Sequence, residues 1–155
     1  SVTFLDASPQ ALALARENAA VNVPGLAEKG AVETICGDAF HQLNELYEAG
    51  RRFSLISLDP PAFIKRRKDA AQGLAAYRKI NALALRLLTP GGVLASSSCS
   101  HHLPAEALRG CVAQAAARRG LHARLLFTGG PGPDDPVHAA MPETAYLKCF
   151  IAQVG

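Results

Sequence analysis

Short apolar runs alternate along this chain with longer stretches whose apolar positions recur at helical spacing. Val2–Leu5, Val32–Cys36, Phe53–Leu58, Val93–Ser97 and Leu121–Phe127 read as strands, and a last strand lies near Tyr146–Val154. Between them, Ala11–Val21, Phe40–Glu48, Gly73–Leu88 and Pro104–Arg119 read as helices, the first opened by a Ser8-Pro9 cap. Gly37-Asp38, Asp59-Pro60-Pro61 and Pro90-Gly91-Gly92 mark the breaks, because proline cannot extend a central strand. No repeat, low-complexity tract or linker divides the chain. Strands alternating with helices predict an α/β fold of βαβ units around a mostly parallel sheet covered on both faces.

Composition narrows this picture. The chain has 155 residues, the length of one domain, enough to bury roughly 70% of the unfolded chain's surface. Hydrophobic residues make up 49% and charged residues 19%, which excludes intrinsic disorder. No apolar run approaches the ~18 residues of a membrane span; the richest, Ala82–Leu88, is broken by Arg86. The start of the chain shows no basic leader or signal-type apolar region, so no export signal and no membrane association are expected. Sixteen basic against thirteen acidic residues leave +3, too mild to require a polyanionic partner. Four cysteines stand far apart without a CxxC pair. That spacing excludes a zinc finger and points to a reducing cytoplasm; no metal site is expected.

Parallel sheets place function beyond the carboxyl ends of their strands. Here those ends carry Asp6, Asp38, Asp59 and the Ser96–Ser100 cluster with Cys99. Asp6 can accept hydrogen bonds from a ribose diol or serve as a turn aspartate before the helix. Asp38 can hold an adenine amino group or cap the helix that follows. In Asp59-Pro60-Pro61-Ala62-Phe63 the prolines stiffen the strand exit and Phe63 offers a face to a planar base, or simply joins the core. Cys99, set among hydroxyls, can act as a nucleophile or be packed. Cys36, Cys111 and Cys149 fall within elements and read as packing residues. His101 and His102 read as a surface turn rather than a metal pair. The run Lys65-Arg66-Arg67-Lys68 is either a solvated loop or a contact for phosphates.

Taken together, these segments resemble class I S-adenosylmethionine-dependent methyltransferases. Val2–Pro9, Gly37-Asp38-Ala39-Phe40, Leu58–Phe63 and Ser96–Ser100 are similar to the bacterial 23S ribosomal RNA cytosine-C5 methyltransferases of the large-subunit methyltransferase I type. Tyr77–Asn81 and Pro142–Lys148 add to the likeness, which runs over nearly the whole chain. The resemblance implies a Rossmann-like three-layer sheet, parallel except for a reversed last strand. It also implies S-adenosyl-L-methionine as cofactor and ribosomal RNA as partner. Asp6, with Ala7 and Ser8, matches the ribose site. Asp38, with Ala39 and Phe40, matches the adenine site. Asp59 matches the motif aspartate between cofactor and target base, with Pro60 supporting it. Cys99 matches the cysteine that adds to C6 of cytosine. Phe63 and the Lys65, Arg66, Arg67 and Lys68 run border the expected substrate mouth.

The chain departs from the family in two places. Pro61 and Ala62 stand where neighbouring groups carry a second cysteine. The family's first strand and glycine-rich loop precede the point at which this sequence starts, so residues 1–155 read as the carboxy-terminal part of one catalytic domain. Without that strand, the edges of Val2–Leu5 and Phe53–Leu58 are expected to lack partners, and self-association as a homodimer and weak or absent cofactor binding are expected. Two rivals stand beside this reading: an N-methyltransferase that holds an amino group with Asp59-Pro60-Pro61, and a non-enzymatic or inactive binding module.

Overall fold

The computed structural model describes residues 1–23, 25–26 and 29–155. They form two compact units, Ser1–Ala49 and Gly50–Gly155.

In the first unit, β1 (Val2–Asp6) leads into α1 (Pro9–Asn22), and β2 (Val32–Cys36) into α2 (Ala39–Glu48). The two strands pair in parallel, with Val2 beside Val32 and Asp6 beside Cys36. Thr3 Oγ1 donates to Glu33 Oε2 at 2.8 Å across the pair. The helix α1 starts where the sequence predicts, with proline in its first turn and Ser8 accepting from Ala11 N at 3.2 Å. It buries only Leu12 and exposes Leu14 and Val21, whereas α2 buries Leu43 and Leu46.

In the second unit the order is β3 (Phe53–Leu58), a 3-10 turn at Arg67–Asp69, α3 (Ala70–Leu87), β4 (Leu88–Ser98), α4 (Ala105–Ala117), β5 (Ala123–Gly129), a second 3-10 turn at Pro142–Thr144, and β6 (Lys148–Val154). The sheet runs β3-β4-β6-β5; β3 and β4 are parallel, and β6 lies antiparallel to both neighbours. The reversed last strand is therefore as expected. Its core alternates along the strands: Leu94, Ser96 and Ser98 on β4, and Phe150, Ala152 and Val154 on β6, are buried. Tyr77, Leu108, Cys111 and Phe150 join Ile64 and Leu103 in one cluster.

The strand β4 begins five residues earlier than the sequence suggests. Leu88 already pairs with Phe53, and the Pro90-Gly91-Gly92 break becomes an irregularity within the strand. Gly91 adopts φ +73°, and a Cβ on Gly92 would stand 2.9 Å from Thr89 O, so glycine is required for the fold-back. Among the described residues, β1 hydrogen-bonds only to β2 and β3 only to β4, so one edge of each is unpaired. Among them too, no helix is long and apolar enough to cross a membrane.

Candidate active site

The carboxylates of the first unit sit at neighbouring strand ends. Gly37 N donates to Asp6 O at 3.0 Å, which draws the β2 exit beside the β1 exit. Asp6 Oδ1 accepts from Ser8 N at 2.7 Å, and Asp38 Oδ1 accepts from His41 N at 3.0 Å as the cap of α2. The turn and cap roles are thus real. Each occupies one carboxylate oxygen of an exposed residue, and the second oxygen of each can take a hydroxyl or amino donor. Ala7, Ser8, Ala39 and Phe40 lie in the same two turns.

Cys36 corrects the sequence reading. It is exposed at the end of β2, with its sulfur 3.7 Å from Ala7 O, rather than packed inside an element. The strand is too short to carry its last residue into the core. Cys99 is therefore not the only cysteine at a carboxyl end. Cys111 does pack as expected, and burial pushes its thiol up while Arg78 pulls it back.

In the second unit, parallel pairing sets Leu58 beside Ser96, so the exits of β3 and β4 adjoin. Asp59 is exposed there, Pro60 is buried behind it, and Phe63 meets the Tyr77 ring edge-on with centroids 4.8 Å apart. Gly73 lets this loop settle on α3, since a Cβ there would stand 2.7 Å from Phe63 O. Beyond β4, Cys99 is half-buried between two fully buried serines. Tyr77 Oη shares hydrogen bonds with Ser98 Oγ (2.7 Å) and Ser100 Oγ (2.8 Å). Ser100 N donates to Ser98 Oγ at 3.0 Å, and Ile64 N donates to Ser100 Oγ at 3.2 Å. One hydroxyl cluster thereby ties the Asp59 loop to the Cys99 turn. Lys148 Nζ closes it from β6, donating to Ser100 O at 2.7 Å and Leu103 O at 2.8 Å.

The basic run offers less charge than its sequence suggests. Lys65, Arg66, Arg67 and Lys68 are all exposed, but Arg66 Nε donates to Asp69 Oδ2 at 2.9 Å, and Arg67 and Lys68 lie in the 3-10 turn. His101 and His102 form the exposed turn expected of them, and the His101 ring stacks on Tyr146 at 5.0 Å. Asp135 draws the Tyr146 hydroxyl into a hydrogen bond and pushes its ionisation up. Residue type alone marks neither Tyr77 nor Lys148 for a role. The signals that the sequence does hold are their places in the two segments that add to the family likeness, Tyr77–Asn81 and Pro142–Lys148.

This architecture is the Rossmann-like fold of class I methyltransferases. A protein from Streptococcus mutans described as a SAM-dependent methyltransferase superposes with a TM-score of 0.75 at 17% identity, over 97% of this chain and 38% of its own. The N-methyltransferase NodS from Bradyrhizobium japonicum shares the fold with a TM-score of 0.59 at 14% identity, over 97% of this chain and 71% of its own. In sequence the chain resembles ribosomal RNA large subunit methyltransferase I of Serratia proteamaculans, with 35% identity over 153 residues. That match takes in 99% of this chain and 38% of the relative, so the likeness anticipated from the motifs holds end to end. No family model matches.

Proposed function

We propose that this chain carries the base-directed half of an S-adenosylmethionine-dependent RNA methyltransferase that modifies C5 of a cytosine in 23S ribosomal RNA, in the cytoplasm. The observation that carries the reading is the half-buried Cys99 beyond β4, held between Ser98 and Ser100 beside the Asp59 exit of β3. The likeness to a large-subunit rRNA methyltransferase supports it.

The chemistry explains the residues. C5 of cytosine is a poor nucleophile until a thiolate adds at C6 and makes the ring enamine-like. Cys99 supplies that thiolate. Asp59 hydrogen-bonds the base edge and steadies the charge that develops there, with Pro60 fixing its loop and Phe63 lining the base. Once C5 has taken the methyl group, loss of its proton restores the double bond and expels the thiol. Asp6, Ala7 and Ser8 hold the cofactor ribose, Asp38, Ala39 and Phe40 hold the adenine, and Asp59 borders the methyl donor. The exposed oxygens of Asp6 and Asp38 fit those hydroxyl and amino donors. Lys65, Arg66, Arg67 and Lys68 contact RNA phosphates, and the unpaired edges of β1 and β3 favour self-association.

The reading is tested by nucleoside mass spectrometry of RNA incubated with the protein and S-adenosylmethionine. 5-Methylcytosine that disappears in both Cys99→Ala and Cys99→Ser supports it. Methylation that survives Cys99→Ser points instead to transfer onto an amino group, which needs no thiol. Absence of any S-adenosylhomocysteine binding by calorimetry would leave a non-enzymatic module.

A further inference from the structure

We propose that the stacked rings of His101 and Tyr146 are a platform for the base of a nucleotide beside the target cytosine. This deepens the proposed function and rests on the Cys99 turn facing RNA. Neither ring takes part in the chemistry assigned to Cys99 and Asp59.

The platform stands on a turn that is held in place. Leu103 N donates to Ser100 O at 3.1 Å, which closes a β-turn with His101 and His102 at its centre. Both corners are buried, Ser100 fully and Leu103 to 2% exposure, whereas both histidines are exposed. From the start of β6, Lys148 Nζ holds the carbonyls of the two corners at 2.7 Å and 2.8 Å. Tyr146, two residues before Lys148, lays its ring against that of His101, with centroids 5.0 Å apart and planes 21° from parallel. The turn is thus pinned at its base, and its first ring is braced from the side.

Core packing does not account for the pair. His101 is exposed, Tyr146 is half-buried, and neither is a member of the core cluster around Tyr77. A ring that is stacked on one side and still exposed has its other face in solvent. Such a face is already ordered, so little side-chain freedom is lost when a ligand stacks on it. Unstacked bases in single-stranded RNA are held in this way, on aromatic rings that include histidine and tyrosine. Position identifies the ligand. His101 follows Cys99 by two residues, within about 7 Å along the chain, so a base on its ring belongs beside the one at the thiol. The division of labour with the Lys65–Lys68 run is physical: phosphate contacts release counterions and set the salt dependence of binding, whereas stacking does not.

The test is titration of the full chain with a labelled single-stranded RNA oligonucleotide containing one cytosine, read by fluorescence anisotropy at a series of salt concentrations. His101→Ala and Tyr146→Leu should each weaken binding by about tenfold and leave the slope against salt unchanged. Tyr146→Phe keeps the ring and should bind within about twofold of the parent. Parent-like affinity in both His101→Ala and Tyr146→Leu would overturn the proposal, as would a parent that binds no RNA. A loss accompanied by a shallower salt slope would also overturn it, because the contact would then be to phosphate. If Tyr146→Leu fails to fold, 2-aminopurine placed in turn on each side of the cytosine reads the same contact in the parent. Its emission should be quenched on binding at one of the two positions, and unquenched emission at both overturns the platform. Weakened binding in these variants, with 5-methylcytosine still formed by Cys99→Ala, would keep the platform and sink the nucleophile. Unchanged binding, with methylation lost in Cys99→Ala, would do the reverse.

Discussion

The polar groups at the strand ends of the two units are satisfied in opposite ways. In the first unit the side chains of Asp6, Ser8 and Asp38 bond locally, to Ser8, Ala11 and His41, two or three residues away. In the second, Tyr77 reaches Ser98 and Ser100 across 21 and 23 residues, Ile64 reaches Ser100 across 36, and Lys148 reaches it across 48. Local bonds leave the carboxylates exposed, with an oxygen free for a ligand that comes and goes. Distant bonds build a buried, mutually supporting cluster that fixes the Cys99 turn. On the proposed function, one arrangement serves reversible cofactor binding and the other covalent chemistry.

Substitutions should reproduce that ranking. Tyr77→Phe removes a hydroxyl shared by two buried serines and should cost about 1–3 kcal/mol in urea unfolding of the chain. Gly73→Ala should come close to it, because the added Cβ meets the Phe63 carbonyl and lifts the Asp59 loop from α3. Asp38→Ala removes only a helix cap, and a cost of about 1 kcal/mol is expected, with Asp38→Asn keeping most of the cap. Should Asp38→Ala prove as damaging as Tyr77→Phe, the contrast between local and distant bonding fails. Smallest of all, Arg66→Ala should change stability by less than about 1 kcal/mol, since its pairing with Asp69 is exposed. Replacing all four residues of the basic run should flatten the salt dependence of RNA binding, by about 0.7 in slope for each phosphate no longer neutralised.

The same contrast decides what is legible in the sequence alone. The Ser8-Pro9 helix start, the Asp38 cap and the reversed last strand follow from neighbours in the sequence or from the alternation of strands and helices. Asp59, Asp6 and Cys99 are legible because carboxyl ends of strands are few and each carries an unusual residue. Tyr77 and Lys148 are legible only as members of segments that resemble the family, because a buried tyrosine and a buried lysine acquire their structural meaning from partners far along the chain. Cys36 misleads for a related reason. Short strands expose their last residue, whereas residue type alone favours the core. Arg66 looks available because Asp69, three residues on, falls inside a 3-10 turn that the charge run does not announce.

The central claim is that this distant network presents Cys99 as a nucleophile toward cytosine. The most direct measurement is denaturing electrophoresis of the protein after incubation with S-adenosylmethionine and RNA containing 5-fluorocytosine, where the C5 proton needed for release is absent. A covalent protein–RNA band that forms with the parent and vanishes in Cys99→Ala is the predicted result. A band that persists in Cys99→Ala would contradict it.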